Sequence, residues 1–82
     1  MYIQTEYELF NLELFKALYT SEMPKEEDSE EKIYVLTGDD NRGETEIFGV
    51  LLTTENAMDA LKKVGRDLRD GKAVSNVISE DI

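Results

Sequence analysis

The residues that could do chemistry in this 82-residue chain are carboxylates. Nineteen Asp and Glu face nine Lys and Arg, a net charge of −10, and the chain has no His and no Cys. Nucleophilic catalysis therefore lacks both a thiol and the usual base for a serine. A structural zinc site lacks its usual ligands. Paired carboxylates can do acid–base work, but only where burial or a close like charge shifts a pKa. The acidic clusters here read as exposed. The five glycines (38, 43, 49, 65 and 71) are scattered and match no phosphate-binding loop. The expectation is a protein that is not an enzyme and carries no cofactor.

Two local clusters invite a ligand. Asp39-Asp40-Asn41-Arg42-Gly43-Glu44 resembles a calcium loop in composition. Counted from Asp39, however, Gly43 falls at the fifth position and Val50 at the twelfth, where the EF-hand spacing needs glycine at the sixth and glutamate at the twelfth. It reads as a solvated hairpin loop, with no metal. Lys62, Lys63, Arg66 and Arg69 form a basic cluster, but Asp59, Asp67 and Asp70 are interspersed and segment 55–70 is neutral. It reads as an ordinary solvated helix face, or as a surface that receives an acidic loop.

The charge is unevenly placed. Residues 1–31 hold nine acids and two lysines, net −7, whereas residues 32–82 hold ten acids and seven bases, net −3. Phosphate backbones and anionic membranes repel such a chain, and basic protein surfaces attract it. Neither direct nucleic-acid binding nor membrane binding is expected. No apolar run approaches a membrane span. The segment MYIQTEYELF lacks the basic start and apolar stretch of a signal peptide. A cytoplasmic location is expected.

The length suits one domain, residues 1–82, with a thin core. Residues 2–9 alternate in the manner of a half-buried strand. Thr5-Glu6-Tyr7-Glu8 is also a capping-box pattern. Beyond it, Tyr7, Phe10, Leu14, Ala17 and Leu18 share one face at helical spacing, in a stretch rich in good helix formers. The expectation is a short strand at 1–4 and a helix from about 6 to 20. Leu9, Leu12, Phe15 and Tyr19 would form a second apolar stripe on that helix, a candidate contact surface for another chain.

Residues 21–31 (SEMPKEEDSEE) read as an acidic loop that Pro24 opens by stopping the helix. Its acids Glu26, Glu27, Asp28, Glu30 and Glu31 are candidates for docking on a basic partner. Lys32–Thr37 and Glu44–Thr53 read as two strands joined by the turn cluster 38–43. The first of them is apolar on both faces, which suits a central strand with two covered faces, or with one covered face and one interface. Gly49 interrupts the second and suggests a bulge or a close backbone approach. A helix opens at Thr53-Thr54-Glu55, carries Ala57, Met58, Leu61, Val64, Gly65 and Leu68 on one stripe, and ends at Gly71. Gly65 would let this helix lie close to the sheet. Ala73–Ile78 reads as a last strand.

The order (β)αββαβ makes an α+β two-layer sandwich with an antiparallel-rich sheet and two helices, ferredoxin-like if residues 1–4 are a strand. The functional expectation is a small acidic, non-catalytic protein-interaction domain with a protein partner of basic character, homodimeric or regulatory. The alternative is an acidic nucleic-acid mimic, of the phage anti-defence type, that fills the basic groove of a DNA- or RNA-binding protein.

Overall fold

The computed structural model describes residues 1–81. The chain runs β1 (Tyr2–Gln4), β2 (Leu9–Asn11), a 3-10 turn (Leu12–Leu14), β3 (Phe15–Pro24), β4 (Lys32–Asp40), β5 (Thr45–Leu51), α1 (Thr54–Arg69) and β6 (Val74–Asn76). It is an α+β protein with two three-stranded sheets, ordered β2-β1-β6 and β3-β4-β5. Among the described residues only the β1–β6 pairing is parallel, so the sheets are antiparallel-rich as expected.

The expected helix at 6–20 is not formed, and with it go the two-helix count and the ferredoxin-like arrangement. Residues 9–11 are a strand, residues 12–14 a single 3-10 turn and residues 15–24 the longest strand of the chain. Thr5 makes the capping contact that its motif implies, but it closes a turn. Its Oγ1 accepts from the Glu8 amide at 3.0 Å, and its own amide donates to the Glu8 carbonyl at 2.9 Å. The result is the β1–β2 hairpin, with Ile3 opposite Phe10. Asn11 Oδ1 then accepts from the Glu13 amide and holds the 3-10 turn. A lone helix of this length is marginal in water. Pairing along β4 supplies a full ladder instead, from Phe15–Asp40 to Pro24–Lys32. Pro24 therefore ends a strand, and the acidic loop starts after it.

The later elements follow their sequence signals. Thr53 caps α1, its Oγ1 accepting from the Asn56 amide at 3.1 Å. Gly71 adopts φ +72°. The Gly71 amide donates to Leu68 O and the Lys72 amide to Asp67 O, the paired bonds of a Schellman ending. Strand β4 runs on to Asp40, three residues beyond the expected end, so the turn to β5 is tighter than the 38–43 cluster implied.

The core joins both sheets and the helix. Ile3 and Leu36 are fully buried and cluster with Phe48, Val64 and Val77. Phe10, Phe15 and Phe48 pack edge to face around one end of this cluster, with centroids 4.9–6.1 Å apart. Gly49 matches its expected role. The β4–β5 register skips a residue beside it, and a Cβ there would sit 2.7 Å from Val77 Cγ1. Gly65 does not: a Cβ there would meet nothing within 4 Å. Gly65→Ala is therefore expected to raise stability by about 0.5–1 kcal/mol through helix propensity. Gly49→Ala is expected to lower it by about 1–3 kcal/mol through overpacking. Urea unfolding of both variants checks the pair, and a destabilised Gly65→Ala would contradict this packing.

Candidate functional site: an uncharged sheet face beside an acidic hairpin tip

Directly opposed residues in an antiparallel pair point to the same face. Leu36, in the core, lies opposite Thr20 and Gly49. The Thr20 hydroxyl meets Met58 Sδ of α1 at 3.7 Å, so the helix covers this face. The other face of the sheet holds Tyr19, Ser21 and Met23 from β3, Ile33, Val35 and Thr37 from β4, and Ile47 and Val50 from β5. Tyr19, Met23 and Ile47 are 36%, 40% and 50% exposed. In a chain that is 34% charged, the single charged residue described on this face is Asp39. Its Oδ1 accepts from the Tyr19 hydroxyl at 2.9 Å and from the Thr45 hydroxyl at 2.8 Å. That hydrogen bond to a carboxylate raises the Tyr19 pKa above its ordinary value.

Thr37 sits in the middle of this face. It is buried, and its Oγ1 has no hydrogen-bond partner among the described residues. Such an orphan hydroxyl costs about 1–3 kcal/mol.

The β3–β4 hairpin continues past the last β5 pairing, Tyr34–Leu51, and carries the acidic loop at its tip. Lys25 pairs with Glu31 at 3.4 Å, and Lys32 with Glu22 at 3.1 Å. Glu26, Glu27, Asp28 and Glu30 have no ion pair among the described residues. Asp28 takes φ +61° in the turn, a conformation that Asp tolerates better than most residues. The tip thus presents free negative charge at one end of the uncharged face.

The sequence-derived stripe is dispersed. Leu12 and Phe15 pack on the core, and Tyr19 lies on the outer sheet face. Leu9 is exposed on β2 at the mouth of a groove of about 490 Å³ that it shares with Phe10, Leu14, Phe15 and Arg42. Alternation of Ala17, Tyr19, Ser21 and Met23 against Leu18 and Thr20 was the signal for β3. It was masked by the equally good helical spacing of the leucines.

The carboxylates that are drawn in serve structure. Asp40 Oδ1 accepts from the Arg42 and Glu44 amides at 2.8 and 2.9 Å, and Oδ2 pairs with the Arg42 guanidinium at 3.2 Å. The loop read as a failed calcium site is thus a self-contained hairpin turn. The backbone amides, chiefly that of Glu44, hold the Asp40 pKa below its ordinary value. Asp67 ties α1 to β6. Its Oδ2 accepts from the fully buried Ser75 hydroxyl at 2.7 Å, and Lys72 and Lys63 flank it at 3.2 and 3.4 Å. Lys63 also donates to Asn76 O at 2.9 Å, so part of the basic cluster is bound to β6. Among the described residues, no three Asp or Glu side chains come together to hold a metal ion.

The fold and this surface define a small acidic α+β domain with one sheet face free of unpaired charge. Residues 31–77, more than half of the chain, match the family described as "Domain of unknown function (DUF7336)", and the chain belongs to that family. The matched span runs from the start of β4 past β6 and leaves β1, β2 and β3 outside. No curated protein and no solved structure matches the chain. No helix among the described residues is long and apolar enough to cross a membrane.

Asp67 gives this account a pH test. The Ser75 hydroxyl first, and Lys72 next, lower its pKa from 3.8 to about 2. A carboxylate lowered on folding contributes stability that is complete above its unfolded pKa and is lost as pH falls through its folded pKa. Its contribution is therefore expected to fade between about pH 4 and pH 2. Asp67→Asn is expected to unfold more easily at pH 7 and to show a flatter fall in melting temperature across that window. Asp40 and Glu80, also lowered, keep a residual slope. An unchanged acid limb would contradict the role assigned to Asp67.

Proposed function

We propose that this protein is a non-catalytic interaction domain that binds a basic protein surface. The outer sheet face makes the apolar contact, and the acidic hairpin tip steers and orients the partner. The observation that carries this reading is a face with Tyr19, Met23 and Ile47 exposed and no free charge, beside carboxylates without ion pairs. Contiguous exposed apolar surface rimmed by polar groups is a common mark of a protein contact. Partners to a patch of this kind have an apolar centre edged with Lys and Arg. Electrostatic complementarity of the tip would speed encounter more than it tightens the complex.

The nucleic-acid-mimic reading shares the acidic tip but needs no apolar face. The two separate by mutation. A photo-crosslinking side chain placed at Ile47 in vivo would identify the partner, and binding would then be measured with purified proteins. Ile47→Asp is expected to weaken binding at least about tenfold without lowering the melting temperature by more than a few degrees. Replacing Glu26, Glu27 and Glu30 with Gln and Asp28 with Asn is expected to slow association and to remove most of its salt dependence. Thr37→Val is expected to raise the melting temperature and to leave binding unchanged, because the hydroxyl is buried. A partner whose binding ignores Ile47 but is displaced by duplex nucleic acid would favour the mimic and contradict the face.

A further inference from the structure

A second unsatisfied surface is the backbone edge of β3. Strand β3 is the edge of its sheet. No backbone hydrogen bond joins its outer edge to another element among the described residues. Long open edges of this kind are ready templates for another strand. The space next to the edge is also unfilled. A groove of about 260 Å³ runs between β3 and α1, walled by Leu12, Leu18, Leu61, Val64, Gly65 and Leu68. Gly65 faces open space, and Met58 and Leu68 of α1 are 38% and 53% exposed. The apolar face of α1 is therefore wider than the sheet beneath it. One more strand beside β3 would lie under its overhang.

We infer that the added strand is β3 of a second copy, paired antiparallel about a two-fold axis at Tyr19. A two-fold contact must be self-complementary, and β3 is so in this register. Tyr19 faces Tyr19, Leu18 faces the second copy's Thr20, and Ala17 faces its Ser21. Lys16 faces its Glu22, twice by symmetry. The charged residues of β3, Lys16 and Glu22, thus meet an opposite charge, and no like charges stand opposed. Lys16 sits at the bulge between Phe15 and Ala17, and its long side chain can span the offset. Shifting the register by one residue pair either way leaves both charges without an opposite partner. The dimer so formed is a continuous six-stranded sheet. Leu18 and Thr20 of each copy would face the partner's groove, and the outer faces would merge into one surface.

The test is the oligomeric state of the intact chain. Sedimentation equilibrium from low to high micromolar concentration, at 0.15 M and at higher salt, allows for the repulsion between two chains of net charge −10. The wild type is expected to dimerise. Lys16→Glu and Glu22→Lys are each expected to raise the dissociation constant about tenfold, because two attractive pairs become repulsive. The double variant Lys16→Glu/Glu22→Lys is expected to recover part of the lost affinity, short of the wild type because it also breaks the Glu22–Lys32 pair. A disulfide supplies a second reading. The chain has no cysteine, and Tyr19→Cys would face itself across the axis. Opposed strand residues lie about 4.5–5.5 Å apart at Cα, within disulfide reach. Mild oxidation is expected to link Tyr19→Cys into dimers and to leave Ser21→Cys largely unlinked. A monomer at all concentrations, a dimer indifferent to Lys16→Glu, a double variant that does not recover, or equal linking of both cysteine variants would each overturn the inference. Lys16 and Glu22 belong neither to the outer face nor to the acidic tip, so the sedimentation test and the partner-binding reading stand or fall separately.

Discussion

The burial of Leu36 in one cluster with Ile3 and Val64 is the constraint on which the rest of the structure depends. Leu36 belongs to the central strand of one sheet, Ile3 to the central strand of the other and Val64 to the helix. A short chain has few elements with which to close a core. Here one side chain from each of three layers meets at a single point. Strand β1 is held in place by its two partners, and β6 by β1 and the Asp67–Ser75 bond. Neither small sheet nor helix would be stable alone.

The same economy explains what is left open. With one helix, the β3-β4-β5 sheet can be covered on one face only. The helix sits over Leu36, so the face of Val35 and Thr37 receives nothing from α1. The chain answers with composition: apart from Asp39, tied down by Tyr19 and Thr45, the outer face has no charge to leave unpaired among the described residues. The negative charge is moved to the hairpin tip beyond β5, where it is solvated. A device for solubility alone would more naturally place charge on the exposed face itself. The proposed contact with another protein rests on this division into an uncharged face and a charged tip.

The sequence made the second half of the fold legible. Strands β4 and β5, the Thr53 cap, the Gly71 ending and the close approach at Gly49 all follow from signals with local physical causes. The first half was not legible, because two periods compete in it. Leu9, Leu12, Phe15 and Tyr19 satisfy a helical stripe, while Ala17 to Met23 satisfy strand alternation. Thr5 satisfies a capping motif that serves a helix or a tight turn equally well. Long-range pairing with β4 decides among these, and no local pattern encodes it. The acidic tip was therefore recognised as a surface from its composition alone. The outer sheet face was legible only through β4, whose two apolar faces suited an interface; Tyr19 of β3 read as helix, and Ser21 and Met23 as loop. Gly65 is the opposite case: a glycine on an apolar helix face suggested close packing, but it borders an open groove.

Both surfaces exist only if residues 15–24 form a strand. Backbone and Cβ secondary chemical shifts of the isotopically labelled chain in solution test that most directly. The account predicts extended shifts from Phe15 to Pro24, interrupted near the Lys16 bulge, with cross-strand contacts between Tyr19 and Thr37. A continuous run of helical shifts from Glu6 to Thr20 would contradict it.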